Sequence, residues 1–260
     1  MHILECQKLT KHFGALEALS DVDMKVRKGE VRAVIGPNGA GKSTLFNAIN
    51  GVFPATRGKC FFNGKDITGM MMQDIVKFGI SRTFQLTNLF PELSVIENIS
   101  IASQAKLKGA WLPLGGSSVL AEAKHKAELA LEKLKLTDLA YLPSNTLSHG
   151  DQRLLEIAMA ISQDPLLLML DEPTQGLSVE ETQSTVDILK DLLSSGDLTV
   201  ILVEHDMEVV FNLAERISVL HQGRIIADGD PEEVKASKVV QDAYLGGFED
   251  ALAGIVSSRC

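Results

Sequence analysis

The chain has 260 residues, 45% of them hydrophobic, enough for one sizeable core with an inserted subdomain. Its formal net charge of −9 argues against nucleic acid as the main partner, because such a partner calls for a basic face. Cys6, Cys60 and Cys260 form no Cys-x-x-Cys pair, so neither a zinc ribbon nor a redox pair is suggested, and buried or incidental thiols in a reducing compartment are expected. Met1-His2-Ile3-Leu4-Glu5-Cys6 lacks the basic start and apolar stretch of a secretion signal, and the longest apolar runs, such as Leu166 to Leu170, are too short to span a bilayer. These features lead to the expectation of a soluble, cytoplasmic chain whose membrane role, if any, comes through a partner.

In chain order, residues 1 to about 35 read as short strands, and Asp21 to Val26 alternates polar and apolar like a half-exposed antiparallel strand. Asn63-Gly64 marks a hairpin turn between Cys60-Phe61-Phe62 and Lys65-Asp66-Ile67. Gly79 to Phe84 reads as another strand. From about residue 86 to 164 the pattern turns helical. Ser94-Val95-Ile96-Glu97 has the form of a capping box, Gly109 to Ser118 reads as a loop, and Ala121 to Leu136 reads as an exposed amphipathic helix. Leu166 to Leu170 and Thr199 to Val203 read as buried strands with helix between them, the texture of a βαβ unit and a parallel sheet. Ile217 to Leu220 and Arg224 to Ala227 flank a turn at Gln222-Gly223. Asp230-Pro231-Glu232-Glu233 opens a C-terminal helix with a capping aspartate and a proline at the first helical position.

Gly36-Pro37-Asn38-Gly39-Ala40-Gly41-Lys42-Ser43 fits the phosphate-binding loop pattern in full. The apolar Val31 to Ile35 precedes it and the helical Thr44 to Ile49 follows. Glycines let backbone N–H groups turn inward onto an anion, and the helix N-terminus adds its dipole. Lys42 is expected to reach the β- and γ-phosphates, and the Ser43 hydroxyl to coordinate Mg²⁺. Far downstream, an apolar strand ends in Asp171-Glu172-Pro173. There Asp171 is placed to hold Mg²⁺, and Glu172 to orient or deprotonate a water attacking the γ-phosphate.

Leu147-Ser148-His149-Gly150-Asp151 then precedes a helical run. With the loop and the acids, it makes the chain resemble the nucleotide-binding subunits of ATP-binding cassette (ABC) transporters over nearly its whole length. The resemblance implies an α/β fold: a RecA-like parallel P-loop core, an antiparallel β subdomain and an inserted α-helical subdomain. Residues 1–85 and 165–230 would form the core with its β subdomain, 86–164 the helical subdomain and 231–260 a C-terminal extension. It implies ATP and Mg²⁺ as ligands, with Gly36, Asn38, Gly39, Ala40, Gly41, Lys42, Ser43 and Thr44 around the phosphates. Phe13 would lie against adenine. Gln85 matches the Q-loop glutamine, with a catalytic and metal-facing role beside Glu172. His205 matches the switch histidine. Ser148 and Gly150 would face the γ-phosphate held by a partner subunit. His149, Asp151 and Ser178 depart from the usual family residues; His149 could add a pH-sensitive contact, and Ser178 could alter a contact between subunits.

The finer pattern, Arg82-Thr83-Phe84-Gln85, Asn88-Leu89-Phe90, Ser94 to Ile99, Glu204-His205-Asp206-Met207 and Ala243-Tyr244-Leu245-Gly246, resembles the branched-chain amino acid import branch. That branch implies a second ATPase subunit, two integral-membrane permeases and an extracytoplasmic solute-binding protein, with this chain at the cytoplasmic face of the inner membrane. A permease helix would dock near Gln85 and Leu86 to Phe90. A urea or short-amide importer and an exporter of lipopolysaccharide type are the alternatives. A DNA-repair ATPase, a two-cassette translation factor and a GTPase are disfavoured: the chain carries no long coiled coil, no second cassette and no Asn-Lys-x-Asp motif.

Overall fold

The computed structural model describes residues 1–83, 89–107 and 116–244. The chain begins with β1 (His2–Phe13), β2 (Leu16–Arg27), β3 (Val31–Ile35), α1 (Lys42–Ile49), β4 (Arg57–Phe62), β5 (Lys65–Asp66), α2 (Met72–Phe78) and β6 (Ile80–Arg82). It continues with α3 (Val95–Gln104), α4 (Gly116–Lys133), α5 (His149–Ile161), β7 (Leu167–Asp171), α6 (Val179–Leu193) and β8 (Thr199–Val203). It closes with α7 (Met207–Leu213), β9 (Arg216–His221), β10 (Arg224–Gly229), α8 (Pro231–Ala236) and α9 (Lys238–Ala243). Two compact units result: Met1–Phe78 with the chain from Thr199 onward, and Gly79–Leu198.

In the first unit, β2, β1, β4 and β5 form an antiparallel sheet in that order. The two leading strands have 12 residues each, longer than the short strands expected from the sequence. Bulges kink them without ending them. Lys8 and Asp21 adopt left-handed φ angles of 47° and 48°. Side chains then take up the displaced backbone groups: Lys8 N–H donates to Asp23 Oδ1 at 2.9 Å, and Asp21 N–H donates to Thr10 Oγ1 at 3.1 Å. The alternation expected for Asp21 to Val26 is present, with Val22, Met24 and Val26 buried. At the hairpin, Asn63 and Gly64 have φ of 48° and 76°, both left-handed as a two-residue type I′ turn requires. Cys6 and Cys60 sit opposite each other with their sulfurs 3.4 Å apart, both buried. The hydrogen bond with Cys60, and then burial, push the Cys6 thiol well above its ordinary range.

The strands β10, β9, β3 and β8 lie side by side in the same unit. β3 pairs parallel with both β8 and β9, and β10 returns antiparallel along β9. β3 and β8 are buried along their whole length, which is why they read as unbroken apolar runs. One residue breaks that pattern. Arg32, only 2% exposed, donates through Nε to Glu30 Oε1 at 2.7 Å and through Nη1 to Ser218 Oγ at 2.7 Å and to Asp228 Oδ2. Arg216 also pairs with Asp228.

In the second unit β6 pairs parallel with β7, and α3, α4, α5 and α6 supply the helical mass. Ser94 and Glu97 form the expected capping box on α3. α4 starts at Gly116, inside the segment expected to be loop; the first turn of a helix tolerates glycine because its N–H groups have no intrahelical partner anyway. Its Ala123, Ala127, Ala130 and Leu131 are buried at helical spacing. Among the described residues no helix is long and apolar enough to cross a membrane.

Burial alone would raise the Asp228 pKa, but Arg32, Ser218 and Arg216 outweigh it and hold the carboxyl below its ordinary value. A depressed carboxyl stabilises the fold above its unfolded pKa of about 4, and loses that contribution as pH falls through the lower native value. Asp228→Asn is therefore expected to cost on the order of 3 kcal/mol at neutral pH, by leaving Arg32 under-compensated. The gap to the parent in urea melts should shrink as pH drops below about 4. A gap independent of pH would remove the ion network from the account.

Candidate functional site

The phosphate-loop residues lie in the first unit, between the end of β3 and the start of α1. The loop is pressed onto β9. A Cβ built on Gly36 would stand 2.0 Å from the Leu220 carbonyl oxygen, so no side chain fits. Gly41 has a φ of 107°, and a Cβ there would meet the Ala18 carbonyl oxygen at 2.6 Å. Ala40 N–H donates back to Pro37 at 3.1 Å, and Gly223 N–H, from the turn between β9 and β10, donates to Ala40 at 2.9 Å. Asn38 and Gly39 are exposed at the loop crest, Ser43 is exposed and Thr44 half-buried at the start of α1. Lys42 is nearly buried, and its ammonium donates to the carbonyls of Gly36 at 2.6 Å and Pro37 at 3.2 Å. A strong cation is thus held over the loop, beside the N-terminus of α1.

Phe13 ends β1 with 46% of its surface exposed. Its ring meets Phe53 edge-on at 5.2 Å, and Lys11 Nζ lies 5.0 Å from the Phe13 centroid and 4.7 Å from that of Phe53. Lys11 is itself anchored on the Pro54 carbonyl at 2.9 Å. The sequence reading missed Phe53 and Lys11. The one signal for Phe53 was an aromatic ring just past α1, and nothing in the sequence places it against Phe13. His205 follows β8 and is exposed; its N–H donates to Glu204 Oε2 at 3.2 Å, and Asp206 next to it caps α7.

The acids lie in the second unit. Asp171 ends β7 and is 1% exposed. Its Oδ2 accepts from Arg82 Nη2 at 2.6 Å, while the buried Oδ1 has no hydrogen-bond partner. Asp171 N–H donates to Thr83 Oγ1 at 3.4 Å, so the ends of β6 and β7 are tied together. Glu172 takes a left-handed φ of 51°, costing on the order of 1 kcal/mol, in a turn closed by Gln175 N–H donating to its carbonyl at 3.1 Å. The left-handed backbone at Glu172 is a feature the sequence does not reveal.

At the head of α5, Ser148 is the N-cap: its Oγ accepts from Asp151 N–H at 3.1 Å and donates to Asp151 Oδ2 at 2.8 Å. Asp151, a departure from the usual family pattern, thus serves as the N-cap's partner. Gly150 is buried, and its N–H donates to Glu181 Oε1 at 3.2 Å. Ser178 caps α6 in a capping box with Glu181. Hydrogen bonds from Ser178 and Gly150 hold the Glu181 carboxyl below its ordinary range. Gln85, with the rest of 84–88, lies outside the described residues.

Residues 19–175 match the ABC transporter family. The chain belongs to that family. Residues 224–250 further match the branched-chain amino acid ATP-binding cassette transporter family. The high-affinity branched-chain amino acid transport ATP-binding protein BraF of Pseudomonas aeruginosa is 39% identical, over 94% of this chain and 98% of that protein. LivG of Salmonella typhimurium, of the same description, is 37% identical over 94% of this chain and 98% of its own. Among solved structures, an ATP-binding cassette of an ABC transporter in its ADP conformation superposes with a TM-score of 0.82 at 32% identity, covering 95% of this chain and 99% of that one. A dimeric cassette in a post-hydrolysis state with ADP and Pi superposes with a TM-score of 0.73 at 27% identity, covering 88% of this chain and 98% of that one.

A base stacked on an aromatic ring contributes about 1–3 kcal/mol. Phe13→Ala is expected to weaken ATP binding by about tenfold while leaving inorganic tripolyphosphate binding unchanged, and Phe53→Ala to act in the same direction more weakly. Titration calorimetry with both ligands checks this; equal losses for both would place the ring's role elsewhere.

Proposed function

We propose that this chain is the ATP-binding and ATP-hydrolysing subunit of an importer for branched-chain amino acids or closely related small solutes. The observation that carries the proposal is the joint occurrence, in one ABC chain, of a structurally closed phosphate loop and a C-terminal segment of the branched-chain amino acid transporter family. The comparisons do not favour the urea or short-amide importer or the lipopolysaccharide exporter. By likeness to its relatives, the subunit works with a second ATPase subunit on two permeases fed by a solute-binding protein, at the cytoplasmic face of the membrane.

The chemistry follows from the residues. Backbone N–H groups of Gly39 and Gly41 and the Lys42 ammonium neutralise the phosphates, and Phe13 stacks on adenine. Exchanging the Gly36 and Pro37 carbonyls for phosphate oxygens gives Lys42 a charged partner in place of neutral ones. Within the second unit, the buried Asp171 Oδ1, which has no hydrogen-bond partner, is an oxygen suited to a hard divalent cation. Mg²⁺, when bound with ATP, supplies positive charge against the phosphate oxygens. Glu172 orients the attacking water and accepts its proton, and His205 donates to the γ-phosphate. Ser148 and Gly150 present the head of α5 to the nucleotide held by the partner subunit. Closure of the pair around ATP, and its release after hydrolysis, drives the permeases between their two faces.

Glu172→Gln keeps the shape of the side chain and removes the base. It is expected to leave ATP affinity within about twofold and to lower turnover by about 10²-fold or more. Near-parent hydrolysis by this variant would take Glu172 out of the mechanism. Lys42→Ala should abolish measurable nucleotide binding, and retained binding would sink the phosphate-loop assignment itself.

A further inference from the structure

The head of α5 and the cap of α6 are joined by one carboxylate. Glu181 Oε2 accepts from the N–H of Ser178, the cap of α6, at 3.0 Å, and Glu181 Oε1 accepts from the N–H of Gly150 in the first turn of α5 at 3.2 Å. Ser178 Oγ in turn accepts from Glu181 N–H at 3.3 Å. The Glu181 side chain also packs over Gly150: a Cβ built there would meet Glu181 Cβ and Cγ at 3.4 Å each. The first turn of a helix leaves its N–H groups without intrahelical partners. In α5 the Asp151 N–H is taken by Ser148, and the Gly150 N–H is taken by a residue 31 positions away on another helix. An ordinary capping box uses its glutamate to serve its own N-cap alone. This one serves a second helix with its other oxygen, and it stays charged because both bonds favour the carboxylate.

We propose that Glu181 is a positioning residue for ATP hydrolysis. It fixes the head of α5, with Ser148 and Gly150, to the Gly176-Leu177-Ser178 turn that leads into α6. The two segments then approach the partner subunit's nucleotide as one rigid piece. The inference rests on the reading of Leu147 to Asp151 as the segment that meets the partner's γ-phosphate. Without the tether, each segment would have to be ordered separately on closure. The loss therefore falls on the assembled state, and the chain's own phosphate loop is untouched.

The test uses the complex of this chain with its partner ATPase and permeases, and compares parent, Glu181→Gln, Glu181→Ala and Ser148→Ala. Glutamine keeps the capping box but has one acceptor oxygen where two N–H groups need one. Hydrogen exchange at the Gly150 amide reports the bond directly, and steady-state ATPase assays report its use. Glu181→Gln is expected to speed Gly150 exchange and to lower kcat by about three- to tenfold, with KM and ATP binding by the isolated chain within about twofold; Glu181→Ala should lower kcat further. Unchanged Gly150 exchange in both variants would show that the bond does not form. Faster exchange with parent kcat would show a bond without a role, and a rise in KM alone would place Glu181 in nucleotide binding. Any of these overturns the proposal. Ser148→Ala separates the two readings: parent turnover there refutes the assignment of the α5 head, whereas impaired Ser148→Ala beside parent-like Glu181 variants refutes the tether alone.

Discussion

A side chain at position 36 would drive its Cβ to 2.0 Å from the Leu220 carbonyl oxygen, and this contact sets the geometry of everything around the phosphate loop. Because β3 pairs with β9, the backbone leaving Ile35 must run hard against the end of β9. The turn after β9 then reaches back through Gly223 N–H to Ala40. The loop is held at both shoulders by backbone, so its N–H groups are organised before any anion arrives. Preorganisation of this kind is what makes backbone dipoles effective, since none has to be reoriented on binding. The buried Arg32 and Glu30, with Ser218 and the partly exposed Asp228, tie β3, β9 and β10 together.

The second unit uses charge in a different way. Asp171 is a nearly fully buried carboxylate, and Arg82 supplies its countercharge. Arg82 occupies one oxygen and leaves the other without a partner, a combination suited to a cation ligand. Next to it, Glu172 occupies a left-handed backbone conformation that costs energy. The head of α5 is satisfied by Ser148, Asp151 and Glu181. The aspartate at 151 and the serine at 178 leave both caps intact: Asp151 pairs with the Ser148 N-cap, and Ser178 caps α6 itself.

Much of this was open to a reader of the sequence because the physics behind it is local. The glycine spacing before Lys42, the capping boxes at Ser94 and Asp230, the Asn63-Gly64 turn and the apolar runs ending at Ile35 and Asp171 each depend on a few neighbouring residues. The strand lengths of β1 and β2 were misjudged because their bulges are sustained by Asp23 and Thr10 reaching across the pair, which no single-strand pattern reveals. Arg32 in a buried strand contradicts the apolar pattern around it, and only its distant acids explain it.

The sequence by itself determined that this is an ATP-binding cassette chain, with a phosphate-loop pattern between a buried strand and a helix. Motif spacing is covalent, and the backbone requirements of a phosphate loop admit few residue types. The tertiary structure alone decided how those residues are braced: Phe53 and Lys11 on Phe13, Arg82 on Asp171 across 89 positions, and Glu181 on Gly150 across 31. Such partners are chosen by proximity after the elements pack. A carboxylate on α6 or an arginine on β6 carries no local mark of the atom it will meet.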